Sequence, residues 1–445
     1  MRRQRSPRRA PALTGTISVP GDKSLSHRAV ILGALGSGES RARGLNLGED
    51  VARSIEAVRA LGIEAALGPS SAERSELVVR GRGPGGPIEP SDVIDAGNSG
   101  TTLRTLLGIC AAVDGTSVIT GDETLRRRPM LRVVEPLRSM GARIDGRAGG
   151  DLPPLVVRGA PLQGINVKLK VASAQVKTAL LLGGLRAAGE TTVTEPGPSR
   201  DHTENLLASM GAPITRSGRT TSVRATESLD PLDLDVPGDF SSAMYLLAAA
   251  LLVPGSDLTI EAVGLNPSRS AALEVLRRMG ASVEAEPAAT HSGEAVGSVR
   301  AGHSDLGATT IGGQEIPALI DELPILAVLA SQAEGETVIR DAAELRVKES
   351  DRIAVMCAGL RALGADVEER PDGLVLRGPA ALTGGEVEAH GDHRAALSFA
   401  VAGLVAADKV VVHGWSSIDT SFPEFLELLD QARGGRSARG AGNRR

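Results

Sequence analysis

Residues 136–145 read PLRSMGARID: an apolar helix-like run that closes on Met-Gly-Ala and then alternates like a strand. The phrase returns as AVRALGIEA at 57–65, LLASMGAPIT at 206–215, VLRRMGASVE at 275–284 and GLRALGADVE at 359–368, and in degenerate form as LLDQARGG at 428–435. The shared glycines are Gly62, Gly141, Gly211, Gly280, Gly364 and Gly434. They fall about 70 to 85 residues apart, and so even a period marks an internal repeat. Glycine just past a helix supplies a left-handed cap, and the alternation that follows suits a half-buried strand. Upstream of each such helix lies a second apolar run, a Gly-containing turn and a β-like segment, as in SAQVKTALLLGGLRAAGETTVTE (173–195) and SSAMYLLAAALLVPGSDLTIEA (241–262). Each unit therefore carries about two helices among several short strands. Six units divide three and three, with a boundary near Val236-Pro237-Gly238.

A chain of 445 residues is too long for one growing core, which agrees with two domains. The first eleven residues and the tail from Gly434 read as disordered ends. Net charge is −5 and the basic residues are scattered, so no continuous electropositive face is offered to nucleic acid. The rings are few, Trp415, Tyr245 and four phenylalanines, which disfavours stacking of bases or sugars. A ligand must be held by charge and hydrogen bonds. Cys110 and Cys357 lack metal-ligand or disulfide-framework spacing, and a reducing cytoplasm is the expected setting. The basic start MRRQRSPRRAP is followed by no apolar signal region, and the Ala/Leu-rich runs are short and broken by glycine, so secretion and membrane spanning are disfavoured.

Polar groups interrupt the pattern at the starts of apolar helices, where unpaired N–H groups and the helix dipole attract anions. The segments are PGDKSLSHRAV (Lys23, Ser24, Arg28), DAGNSGTTLRTLL (Asn98, Ser99, Gly100, Thr101), RRRPM (Arg126, Arg127, Arg128) and VASAQVKTALL (Ser173, Gln175, Lys177). PSRDHTENLL (Ser199, Arg200), PALIDELPIL (Asp321, Glu322), RVKESDRIAVM (Lys348, Glu349, Arg352) and HGDHRAALSF (His393, Arg394) complete the set. Singly, each is an ordinary solvated charge; jointly, recurring at analogous points of a repeat, they point to one anion-binding surface. Asp321, set among Ile, Leu and Pro, is expected to be partly desolvated, which raises a carboxyl pKa and suits a base.

Three patterns mislead. Gly81, Gly83 and Gly86 have dinucleotide-loop spacing, but Pro84 interrupts them and Pro87 follows where a helix must begin, so the stretch is a turn. His390 with His393, and Asp201 with His202 and Glu204, form no complete metal-ligand set. Gly21-Asp22-Lys23-Ser24 ends like a phosphate loop without its earlier glycine.

PGDKSLSHRA, GNSGTTLR, RRRPM, SAQVKTALL, RVKESDR and GDHRAALSF resemble, in order, the signature segments of the EPSP synthase (3-phosphoshikimate 1-carboxyvinyltransferase) family, over about Leu13 to Leu429. SAQVK, SRDHTE and IDELPILA are closer to its glyphosate-tolerant bacterial branch than to the enteric-type branch. The resemblance implies an α/β (α+β) inside-out fold of six βαβαββ repeats, three per domain, with helix N-termini aimed into an inter-domain cleft. It implies a chain that crosses twice, so that residues 12–22 join 237–433 in one domain and 23–236 form the other, with tails at 1–11 and 434–445.

The implied reaction transfers the enolpyruvyl group of phosphoenolpyruvate to the 5-hydroxyl of shikimate 3-phosphate by addition and elimination, in the pathway to chorismate and the aromatic amino acids. No metal or organic cofactor is needed. By motif, Lys23, Ser24, Arg28, Ser173, Gln175, Arg200, Asp321 and Lys348 are expected to hold shikimate 3-phosphate, and Lys23, Gly100, Arg128, Gln175, Arg352 and Arg394 to hold phosphoenolpyruvate. Arginine suits this because its planar fork grips carboxylate or phosphate through two bonds. Asp321 is expected to take the hydroxyl proton, Glu349 to serve C3, and Lys23 to stabilise charge. So many cations should repel one another without ligand. The expected partners are these two small molecules, with no nucleic acid and no membrane, acting on a monomer.

Two positions depart from the enteric-type pattern: Thr420 replaces a lysine and Glu344 an asparagine, and both are left outside the site. A rival, the UDP-N-acetylglucosamine enolpyruvyl transferase, uses a loop cysteine just before an Arg-Pro pair. Here that stretch reads GDETLRRRPM, and Cys110 lies upstream in an apolar run. A non-catalytic scaffold on the same repeats would have no use for Asp321 and Glu349 beside anion sites.

Overall fold

Gly62, Gly141, Gly211, Gly280, Gly364 and Gly434 all have left-handed backbone, φ between 75° and 103°, so each copy of the repeated phrase ends its helix as its glycine predicts. The computed structural model describes residues 10–68 and 75–434 together with the backbone of Gln4–Arg5. Most of the two expected tails lies outside the described residues, but Gln4–Arg5 pair antiparallel with Val412 and Val411.

One repeat shows the plan. The strand Asn166–Lys168 runs parallel to Glu190–Thr194, which pairs antiparallel with Thr220–Arg224, which pairs antiparallel with Ile214–Ser217. A buried helix links the first two strands and an outer helix links the second to the hairpin. Among the described residues there are six such sheets, five of four strands and one of three.

The chain divides into two compact units. One holds Gly21–Val236 and Thr290–Glu294; the other holds the described residues up to Pro20, Pro237–Ala289 and those from Ala295 on. Their leading strands come from outside the local sequence. Thr14–Ser18 runs parallel to Asp257–Glu261, and Asp233–Asp235 runs parallel to Arg41–Arg43. Thr14–Ser18 therefore belongs to the sheet of a later repeat.

The first-named unit contains α1 (Lys23–Leu35), α2 (Glu49–Ala60), α3 (Gly100–Cys110), α4 (Leu131–Ser139), α5 (Ala174–Gly184) and α6 (His202–Ser209). The other contains α7 (Phe240–Leu252), α8 (Ala272–Arg278), α9 (Ile316–Leu319), α10 (Leu323–Gln332), α11 (Arg352–Ala362), α12 (His393–Ala402) and α13 (Phe425–Ala432). Every residue of α7 and α12 is buried, which is why their sequences are mainly apolar rather than striped. Each unit has its own apolar core. In one, α3 and α5 meet where Gly108 faces Ala179, so closely that a Cβ at Gly108 would overlap the Ala179 carbonyl oxygen.

Candidate active site

In the unit holding α1 to α6, side-chain caps aim helix N-termini at the candidate residues. Asp22 accepts from the Leu25 amide at 2.8 Å to cap α1, Ser99 accepts from Thr102 at 3.1 Å to cap α3, and Ser173 from Val176 at 3.5 Å to cap α5. Lys23 Nζ lies 3.1 Å from Asp50 Oδ2. Ser24 Oγ accepts from Arg200 Nη1 at 3.0 Å. Arg28 is buried, and its hydrogen-bond partners are neutral: Thr203 Oγ1 at 2.8 Å, the Ser24 carbonyl at 3.0 Å and Thr178 Oγ1 at 3.3 Å. Burial, and after it the charge of Arg200, push the Arg28 guanidinium down to about 10.

A second cluster in the same unit surrounds Gly100. A Cβ there would stand 3.0 Å from Arg128 Nη1 and 3.2 Å from Arg104 Nη1, so the absent side chain lets two guanidinium groups approach the N-terminus of α3. Arg128 donates to Asn98 Oδ1 at 3.1 Å. Arg104 donates to Gln175 Oε1 at 2.6 Å while Gln175 Nε2 donates to Thr101 Oγ1 at 2.9 Å, which fixes the amide orientation. Arg127, by contrast, is an exposed partner of Glu123.

In the other unit Arg352, 1% exposed, gathers carboxylates. Its Nε lies 2.8 Å from Asp392 Oδ2, its Nη2 2.5 Å from Glu349 Oε2 and its Nη1 3.4 Å from Asp321 Oδ1. Burial alone would lower its pKa; Asp392, Glu349 and Asp321 outweigh that and raise it. Arg394 Nε lies 3.3 Å from Asp321 Oδ1, and its Nη1 donates to the Asp321 carbonyl at 2.8 Å and to Ser241 Oγ at 2.9 Å. Lys348 is lowered by burial, against the opposing pull of Asp321 and Glu344.

Two expectations change here. Asp321 is not surrounded by the apolar residues that flank it in sequence, for α9 and α10 turn those inward and leave its carboxylate, 16% exposed, between two guanidinium groups. Mutual repulsion of cations holds for Arg28 and Arg200 but not for Arg352, which three carboxylates neutralise. Glu344 stands 3.9 Å from Lys348, and Thr420 Oγ1 lies 3.3 Å from His393 Nδ1. The misleading glycines form a turn, with Gly86 N–H on the Gly83 carbonyl. His202 faces Glu294 at 3.0 Å and Glu204 faces Lys177 at 2.6 Å.

Sequence reasoning passed over Asp50, Arg104, Asp392, Asp239, Ser241 and Arg269. A signal existed for two of them: PGDFS at 237–241 repeats PGDKS at 20–24, and Asp239 caps α7 through Ser241 and Ser242 as Asp22 caps α1. Arg269 is buried against Asp239 at 3.1 Å and Glu322 at 2.6 Å, a contact between distant segments that no local pattern announces.

The family model for EPSP synthase (3-phosphoshikimate 1-carboxyvinyltransferase) matches residues 7–429. The chain belongs to the EPSP synthase family. Curated relatives bearing the name 3-phosphoshikimate 1-carboxyvinyltransferase include one from Desulforudis audaxviator, 50% identical over 95% of this chain and 98% of its own. Another, from Pelotomaculum thermopropionicum, is 53% identical over 94% of this chain and 96% of its own. A solved EPSP synthase from Acinetobacter baumannii is 40% identical with a TM-score of 0.85, covering 97% of this chain and 98% of that one. The enolpyruvyl transferase NikO from Streptomyces tendae, 20% identical with a TM-score of 0.78 over 97% of each chain, shares the fold.

Proposed function

We infer that the chain transfers the enolpyruvyl group of phosphoenolpyruvate to the 5-hydroxyl of shikimate 3-phosphate, giving 5-enolpyruvylshikimate 3-phosphate and phosphate. This is a step of chorismate and aromatic amino acid biosynthesis. The observation that carries the residue assignment is the placing of two carboxylates, Asp321 and Glu349, on one buried guanidinium, Arg352, with Arg394 alongside.

In the addition step C3 of phosphoenolpyruvate gains a proton and the 5-oxygen bonds to C2 as its own proton leaves. In the elimination step the C2–O bond to phosphate breaks and C3 gives its proton back. Asp321 takes the hydroxyl proton and Glu349 handles C3, with Lys23 stabilising the developing charge. Lys23, Ser24, Arg28, Ser173, Gln175, Arg200, Asp321 and Lys348 hold shikimate 3-phosphate. Lys23, the Gly100 backbone, Arg128, Gln175, Arg352 and Arg394 hold phosphoenolpyruvate. Each substrate brings a phosphate and a carboxylate, which matches a site rich in charged hydrogen-bond donors.

Among the described residues no helix is long and apolar enough to cross a membrane. Cys110 and Cys357 are free and buried, with thiols pushed up to about 11, chiefly by burial. Such thiols suit the reducing cytoplasm to which we assign the chain, acting as a monomer on small substrates rather than on nucleic acid. Phosphate release is measured with phosphoenolpyruvate and either shikimate 3-phosphate or UDP-N-acetylglucosamine as acceptor. Turnover with the first and none with the second is expected; the reverse would assign the chain to the rival transferase.

A further inference from the structure

Behind Arg28 lies a buried ionic cluster to which the reaction assigns no part. Lys177 Nζ stands 2.7 Å from Glu195 Oε2 and 2.6 Å from Glu204 Oε1, and all three side chains are more than nine-tenths buried. The sequence places these groups directly beside the Arg28 contacts. Thr178, next to Lys177 on α5, and Thr203, next to Glu204 on α6, bond each other at 2.6 Å and both accept from Arg28. Glu195 also accepts from Ser199, beside Arg200.

The arrangement has an electrostatic peculiarity. A buried arginine ordinarily takes a carboxylate partner, as Arg352 and Arg269 do here. Among the described residues Arg28 takes only neutral oxygens, although Glu204 is near enough for its charge to favour the protonated guanidinium. What occupies Glu204 is the Lys177 ammonium. A carboxylate paired with Arg28 would compete with any incoming phosphate for the same donors.

We propose that Lys177 is a positioning residue for shikimate 3-phosphate: by holding Glu204 it keeps that carboxylate off Arg28, whose charge is thereby reserved for the substrate phosphate. This rests on the enolpyruvyl-transfer reading and deepens it.

Steady-state kinetics of the full chain with both substrates test it, wild-type turnover in the same assay establishing the reaction independently. Lys177→Met should raise the KM for shikimate 3-phosphate by about tenfold or more, since Glu204 turns to Arg28, and change that for phosphoenolpyruvate by less than about threefold. Glu204→Gln alone should stay within about threefold of wild type for both. The distinguishing result is rescue. Lys177→Met combined with Glu204→Gln should recover most of the affinity for shikimate 3-phosphate, because the competing carboxylate is gone, whereas a merely structural lysine would leave the double variant no better than the single. Should Lys177→Met alone fail to fold, the folded double variant decides, and a KM for shikimate 3-phosphate still tenfold high overturns the proposal. So does a folded single variant with unaltered KM, or one that raises both KM values alike.

Discussion

Asp321 is held by Arg352 and Arg394 at 3.4 and 3.3 Å, so Asp321→Asn keeps the shape of the contact and removes the proposed base. Turnover should fall by roughly two or more orders of magnitude while shikimate 3-phosphate binding is largely kept; near-normal turnover would remove Asp321 from the role. Arg128→Ala or Arg394→Ala should weaken phosphoenolpyruvate binding by about 1.5–3 kcal/mol, one to two powers of ten, measured by titration, and unchanged affinity would take either arginine out of the site. His27 offers a test in pH. Burial first, then Lys23 and Arg28, hold its pKa well below the ordinary 6.5, and its Nδ1 bonds Ser54 Oγ at 2.8 Å. The unfolded chain takes up a proton near pH 6.5 that the folded chain refuses. His27 therefore contributes stability that is complete above pH 6.5 and is lost as pH falls toward its own lowered pKa, at up to about 1.4 kcal/mol per unit. Urea unfolding between pH 5 and 7 should show a shallower acid slope for His27→Gln; an unchanged slope would contradict the assignment. At this scale the sequence exposed most of the charged candidates, because helix starts betray themselves by capping residues and glycine. It concealed the partners that decide how each charge behaves: nothing near Arg28 foretells Thr178 and Thr203, which lie 150 and 175 positions away.

Helices and their caps were the most legible features, since a glycine after Leu or Met and a serine or aspartate before an apolar run act through local geometry alone. Two glycines of different function separate cap from contact. Gly364 has φ +92° and a Cβ there would make only ordinary van der Waals contacts, the nearest to Thr383 Oγ1 at 3.4 Å, so Gly364→Ala should cost about 1–2 kcal/mol from backbone strain alone. Gly108 sits where α3 meets α5, and Gly108→Ala must push α3 away from the Ala179 backbone. Because α3 and α5 carry Gly100, Arg104 and Gln175, that variant should both lose more stability and raise the KM for phosphoenolpyruvate. Thermal melts with kinetics check this; equal stability losses and an unaltered KM would mean that the crossing does not set the site. What local pattern could not supply was strand partnership. Thr14–Ser18 carries no mark of the sheet it joins, 243 positions on.

Across the whole molecule, the candidate residues divide between two units, each with its own core: Lys23 to Arg200 in one, Asp321 to Arg394 in the other. Six copies of one unit account for this division, because every copy begins an inner helix at an equivalent place and each half retains a different set of polar residues there. The first has cations with neutral partners, as at Arg28, and the second has the two carboxylates proposed for proton transfer. The proposed function assigns shikimate 3-phosphate contacts to residues of each set, Arg200 and Lys348 among them. Calorimetric titration of shikimate 3-phosphate into wild type, Arg200→Ala and Lys348→Ala tests it most directly. The account predicts that each substitution, one in either unit, weakens binding by about 10- to 100-fold, the scale of a lost charge-assisted bond. Wild-type affinity in either variant would contradict it.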